Sequence, residues 1–267
     1  MLTVLAALWG AAAGLLVPRA AYRFSVEPEE AWRDTCPAGH ALTGAGRGWL
    51  GSTRCAKCAA AVPAPAAPGA GPGDGRVGDR SAGEDGPRYA PGVLVPVVTA
   101  LACAALAAAT GLRPELAAWL LLAPVGVLLA TIDRRVHRLP DRLTLPAAGA
   151  VAVLLGAAAL LPEHSGSWLS ALLGGAALGA FYLLLFLINP NGMGFGDVKL
   201  ALSLGIALGW YGWAVVFAGG FAGFLLGAVY GFGLMVLKRA GRKTGIPFGP
   251  FMITGALLGV LLGGLAA

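Results

Sequence analysis

The 267-residue chain is 57% hydrophobic and only 12% charged, with a mean hydropathy of +0.76, whereas a soluble domain carries about 25% charged residues. That excludes an ordinary water-soluble domain and points to an all-α polytopic membrane protein. The net charge of +6 does not imply a nucleic-acid partner, because the cations cluster in short loops beside apolar runs, where they act as topology signals.

Residues 2 to 17 form an apolar run with no basic residue before it and Arg19 and Arg23 just after it. A secretory signal carries its positive charge in front of the apolar core. Here the charge follows, so residues 1–18 read as a retained first transmembrane helix, with the N-terminus outside and the next segment in the cytoplasm.

Residues 19–58 are polar and hold Cys36-Pro-Ala-Gly-His40 and Cys55-Ala-Lys-Cys58. Two close ligand pairs at this separation suit a tetrahedral Cys3His zinc site, whose thiolates would fold a cytoplasmic segment that lacks a core of its own. A solvated histidine beside a reduced dithiol is the alternative. From Ala59 to Pro91 the chain is rich in Ala, Pro and Gly, with too few large apolar residues to offset chain entropy, and reads as a flexible linker.

From residue 92 to the C-terminus at 267 the chain is almost continuously apolar. Seven further spans are expected, near 92–111, 115–131, 143–161, 168–188, 198–212, 213–237 and 247–265, making about eight in all. Charge placement agrees with this count. Starting from an outside N-terminus, the cytoplasmic loops hold Arg134, Arg135, Arg138, Arg142, Lys199, Lys238, Arg239, Arg242 and Lys243, while the outer loops hold only Arg113, Glu115, Glu163 and His164. Both termini are then outside. The stretch Gly209-Trp-Tyr-Gly-Trp213 reads either as an interfacial aromatic turn or as part of a longer bent helix. Gly174, Gly175, Gly179, Gly219, Gly220, Gly223 and Gly227 read as close helix contacts in lipid.

Eight of the thirteen acids lie between Glu27 and Asp85. Topology sets Glu115 and Glu163 outside, so Asp133, Asp141 and Asp197 remain at the cytoplasmic ends of the spans. Asp141 follows Pro140 at the start of an apolar run and reads as a helix cap. Asp133 and Asp197 sit at membrane edges, where an ionisable group is costly unless it has a partner or a function. Neutralisation by Lys199 or the nearby arginines is the plain alternative. Two carboxylates brought together share a proton, so that one activates water while the other protonates the carbonyl or leaving amine. No HExxH, no GxSxG and no nucleotide-loop spacing offers competing chemistry. Cys103 is mid-span and reads as core, and His137 as a loop residue near the acids. A proton-coupled transporter with paired Asp residues is the rival class.

Taken together, Gly14-Leu-Leu-Val-Pro-Arg-Ala-Ala-Tyr22-Arg23, Arg88-Tyr89-Ala-Pro91, Asp133 with Leu139-Pro140-Asp141-Arg-Leu-Thr-Leu-Pro146, Gly194-Phe-Gly-Asp197-Val-Lys199 and Ile246-Pro-Phe-Gly-Pro250-Phe251 stand in one order. That order resembles the type IV prepilin leader peptidases, aspartyl proteases of the GxGD type. The resemblance implies that Asp133 and Asp197 are the catalytic pair and that the substrate is the leader of a prepilin-like protein, cut at the cytoplasmic face of a bacterial inner membrane. It also implies S-adenosylmethionine-dependent methylation of the new N-terminus. The family's usual two CxxC pairs are altered here, with Gly39 where the second cysteine of the first pair would fall and His40 beside it. On this reading 92–267 is a seven-helix peptidase domain.

Overall fold

The structure is a computed structural model that describes residues 1–27, 30–51, 53–60, 93–190, 192–237 and 246–267. Among these the regular structure is helical, apart from one isolated bridge between Thr35 and Ala41. The linker expected over 59–91 lies outside the described residues from 61 onward, and so do Arg88-Tyr89-Ala-Pro91 and the cations at 238 to 243.

Helix α1 covers Leu2–Phe24, followed by two short elements, α2 (Ala45–Gly48) and α3 (Ala56–Ala60), and then by α4 (Leu94–Thr110), α5 (Leu116–Val136), α6 (Asp141–Ala158), α7 (Trp168–Ile188), α8 (Phe195–Gly209), α9 (Trp213–Val236) and α10 (Gly249–Ala266). Every expected span has a helix. Six of these helices, α1, α5, α6, α7, α9 and α10, are long and apolar enough to cross a membrane, while α4 is apolar but has 17 residues and α8 has 15. At about 1.5 Å per residue α8 is shorter than a bilayer core. Its length is not set by lipid, because α6, α7, α9 and α10 surround it and most of its residues are buried.

The bundle closes through small residues. A Cβ on Gly205 would meet the carbonyl oxygen of Gly174 at 2.5 Å, and one on Gly174 would meet Gly209 Cα at 2.8 Å, so α7 and α8 run almost backbone to backbone. Gly255 of α10 stands in the same relation to Gly219 and Gly223 of α9, and Gly10 and Gly14 of α1 press on Thr99 and Pro96 of α4. Without a hydrophobic force between helices in lipid, such close approach supplies the dispersion contacts that hold them. Cys103 is fully buried against Ala6 and Ala107, as a core residue should be.

Three features differ from the sequence expectation. Helix α1 runs past residue 18, and Arg19 and Arg23 lie buried inside it rather than in a flanking loop. Arg19 donates to the carbonyl oxygens of Thr43 (2.6 Å) and Leu50 (3.4 Å), and Arg23 to that of Arg47 (3.0 Å), so the guanidinium groups find backbone acceptors instead of water. Glu115 is not a loop acid in solvent but fully buried, with the Ser165 hydroxyl and backbone N–H donating to its Oε1. The 209–213 stretch is a turn between two separate helices, with Gly212 at φ 102°, yet Trp210 is 1% exposed and so faces the core rather than an interface.

Replacing Gly205 by Val is expected to destabilise the α7–α8 pair by about 1–3 kcal/mol, the usual cost of overpacking a tight contact. Gly149→Ala and Gly233→Ala, where an added Cβ meets nothing within 4 Å, are expected to be neutral or slightly stabilising. Thermal unfolding in detergent compares the three.

Candidate active site: two buried carboxylates and a Cys/His cluster

Asp133 lies three residues before the C-terminus of α5, and Asp197 at the third position of α8. Each is therefore one step further inside a helix than a loop reading implies. Helix α5 stops at His137, which adopts left-handed backbone (φ 49°) and returns its N–H to the Asp133 carbonyl oxygen at 2.8 Å. The chain then turns through Leu139, which is buried, and restarts at Asp141. Gly196 makes this turn possible, because a Cβ there would meet Leu139 Cβ at 2.9 Å. The second glycine of Gly-Phe-Gly-Asp thus docks the α5–α6 connection onto the start of α8.

Both carboxylates are buried, at 4% exposure for Asp133 and 7% for Asp197, and both line one cavity of about 250 Å³ with His137, Arg138, Asp141 and Lys199 on its rim. They are close enough to act electrostatically on each other, and Tyr182 of α7, also buried, feels Asp197. Each has one oxygen held by a backbone N–H. Gly194 donates to Asp197 Oδ2 at 3.2 Å, the acid's half of a capping box at the N-terminus of α8. Gly249 donates to Asp133 Oδ2 at 2.9 Å from the first position of α10. Helix N-termini carry unpaired donors and positive dipole, so two of them aimed at two acids offset part of the desolvation cost.

Gly249 is a site residue that sequence reasoning missed. The stretch Ile246 to Phe251 marks a helix start, with Pro250 in its first turn. Only the structure shows that a Cβ on Gly249 would sit 2.9 Å from Asp133 Oδ2, so glycine is needed for the amide to reach the acid.

Neutralisation of the pair by nearby cations does not occur among the described residues. Lys199 instead pairs with Asp141 at 2.6 Å and lies 4.8 Å from the centre of the Phe195 ring. Asp141, expected as a side-chain cap, is the first residue of α6 with no capping hydrogen bond, because its carboxylate goes to Lys199.

The Cys segment packs at the same end of the bundle. Arg142 lies 5.0 Å over the Trp32 ring, and Trp32 joins Phe24 and Trp49 in an aromatic cluster. Cys36, His40, Cys55 and Cys58 converge, with one donor atom from each lying within 4.8 Å of all the others. Four of the six separations lie between 3.3 Å (His40 Nδ1 to Cys58 Sγ) and 3.8 Å (Cys55 Sγ to His40 Nδ1). Ligands about 2.0–2.3 Å from a tetrahedral zinc would stand roughly 3.5–3.8 Å apart, so this donor set fits a metal ion. The backbone N–H of Cys58 holds the Cys55 thiol down to about 7, while burial and the two neighbouring thiols push that of Cys58 up to about 11.

The fold and site define a polytopic helical membrane protein with two buried acids converging at one end. Residues 120–263 match the model of the type IV leader peptidase family, and the chain belongs to that family. It is 36% identical over 180 residues to the prepilin leader peptidase/N-methyltransferase of Aeromonas hydrophila, covering 64% of this chain and 58% of that protein. It is 32% identical over 178 residues to the protein of the same name from Pseudomonas aeruginosa (64% and 58%), and 30% over 167 residues to that from Bacillus subtilis (62% and 64%). The chain thus spans less than two thirds of the length of each of these three relatives. No solved structure matches it. Nothing in the fold or the family supports the transporter alternative.

Asp141 is largely exposed, so its pair with Lys199 is screened by solvent. Lys199→Gln is expected to lower stability by no more than about 1 kcal/mol, read as a small shift in thermal midpoint.

Proposed function

We propose that this protein is a membrane aspartyl endopeptidase that removes the leader peptide of prepilin-like proteins at the cytoplasmic face of the bacterial inner membrane. The observation that carries the reading is the convergence of Asp133 and Asp197, from helices far apart in the chain, on one cavity with one backbone donor each. Family membership and the names of the relatives support it. Two facing carboxylates do not both ionise cheaply, so they hold one proton between them. The ionised member takes a proton from a bound water, and the water oxygen attacks the scissile carbonyl. The protonated member gives its proton to the carbonyl oxygen; the member that took the water proton then passes it to the amide nitrogen, and the amine leaves as the tetrahedral carbon collapses and returns a hydroxyl proton to the pair. Gly249 and Gly194 hold the two side chains in place throughout.

Cys36, His40, Cys55 and Cys58 hold a structural zinc in this reading, supported by the convergence of their donor atoms to within 4.8 Å of one another. The metal would supply cross-linking to a segment with a minimal core, made of Tyr22, Leu42 and the cysteines themselves. The names of the relatives also support methylation of the newly exposed amine, for which S-adenosylmethionine would supply the methyl group. The domain plan has a first helix that runs to Phe24, a cytoplasmic zinc segment from there to Cys58, a linker over 59–91 and a peptidase domain over 92–267, with both termini outside. It is supported by the placement of the cations and by the packing of the Cys segment at the carboxylate end.

Asp133→Asn and Asp197→Asn are each expected to abolish leader cleavage in membranes, a loss of at least about 10³-fold, while Asp141→Asn keeps measurable activity. Normal processing of a co-expressed prepilin by both single variants overturns the reading. Gly249→Ala is expected to keep the fold and lower cleavage by about tenfold or more, because its methyl group displaces the Asp133 carboxylate. Purified protein is expected to carry one zinc per chain by elemental analysis, and Cys55→Ser to carry less.

A further inference from the structure

Beside the carboxylate cavity lies a second, larger one of about 440 Å³. Its walls come from the segment after α1 on one side and from the α5–α6 connection on the other, and Arg138 and Asp141 line both cavities. The larger space therefore adjoins the cavity that the two acids line.

A peptide bound for hydrolysis between Asp133 and Asp197 extends away from them in two directions. After the cleaved bond comes the apolar helix that the bundle can receive within the membrane. The residues before it must leave on the side of the Cys segment, and the adjoining cavity is the described space open to them. Segments preceding an apolar helix on the cytoplasmic side carry an excess of Lys and Arg. Besides Asp141 and Arg138, which line both cavities, the wall holds three charged residues, Arg142 and the two exposed glutamates Glu27 and Glu30. These groups are not equally free. Asp141 is engaged by Lys199, and Arg142 lies over the Trp32 ring. Neither Glu27 nor Glu30 has an ion-pair partner among the described residues, so the unmatched charge on the far wall is negative.

We propose that this cavity is the leader-binding subsite, in which Glu27 and Glu30 meet the basic side chains that precede the cleaved bond, with Phe24 and Trp32 flanking the chain. The inference rests on the peptidase reading and adds to it the place and sign of leader recognition. Two rim charges act on binding and on its salt dependence, and not on the chemical step.

The test uses the full-length protein in membranes with two prepilin substrates, one with its Lys and Arg leader and one with those residues changed to Glu. The Glu27→Lys/Glu30→Lys variant is expected to raise KM for the basic leader by about tenfold with kcat within about twofold, and to lower KM for the acidic leader. The milder Glu27→Gln/Glu30→Gln variant raises KM for the basic leader about threefold and flattens its salt dependence. Retained processing of the acidic leader by the Lys variant shows that it is folded. An unchanged KM for the basic leader in both variants overturns the proposal. It is equally overturned if both variants cleave normally but lose methyl transfer from S-adenosylmethionine, which would assign the cavity to the methyl donor. Failure of the peptidase reading looks different, since the wild-type protein would then cleave neither leader.

Discussion

Two carboxylates sit in an apolar helical bundle, and the structure depends on how their burial is compensated. Neither is neutralised by a cation among the described residues; each is held by a backbone N–H at the start of a helix. An amide donor stabilises a charge without cancelling it, unlike a lysine, and leaves the acid able to exchange a proton. That distinction requires glycine at 249, where a Cβ would meet the Asp133 carboxylate at 2.9 Å, and it requires α8 and α10 to begin at the same level at which α5 ends.

The level is set by close packing further along. Helix α8 is short because protein surrounds it, and its seam with α7 runs through Gly174, Gly205 and Gly209 with backbones nearly touching. The seam of α9 with α10 runs through Gly219, Gly223 and Gly255. Seams without side chains leave little room for sliding, and so the registers of α8 and α10 are fixed where the acids need them.

At the carboxylate end, the segment after α1 is tied down twice. The guanidinium groups of Arg19 and Arg23 bind its carbonyl oxygens from within the helix, and its aromatic cluster carries Arg142 of α6 on the face of Trp32. The converging Cys and His donors lie in the same small unit as Tyr22 and Leu42. Order in that unit thereby bears on the α5–α6 turn that places Asp133.

Sequence by itself determined the membrane class, a helix for each expected span, though α1 and α5 run five or more residues further than expected, and the candidate acids. Hydropathy and charge are local quantities, and topology left only three acids able to meet. The Cys and His spacing was legible for the same reason, since close ligand pairs sit in short turns. What only the tertiary structure decided were partners remote in sequence: Lys199 with Asp141, Gly249 with Asp133, Glu115 with Ser165, and the arginines of α1 with the loop at 43 to 50. These depend on helix rotation and depth. A uniformly apolar helix carries almost no periodic signal for either, so contact between backbones at glycine, and not the pattern of side chains, chose which face met which.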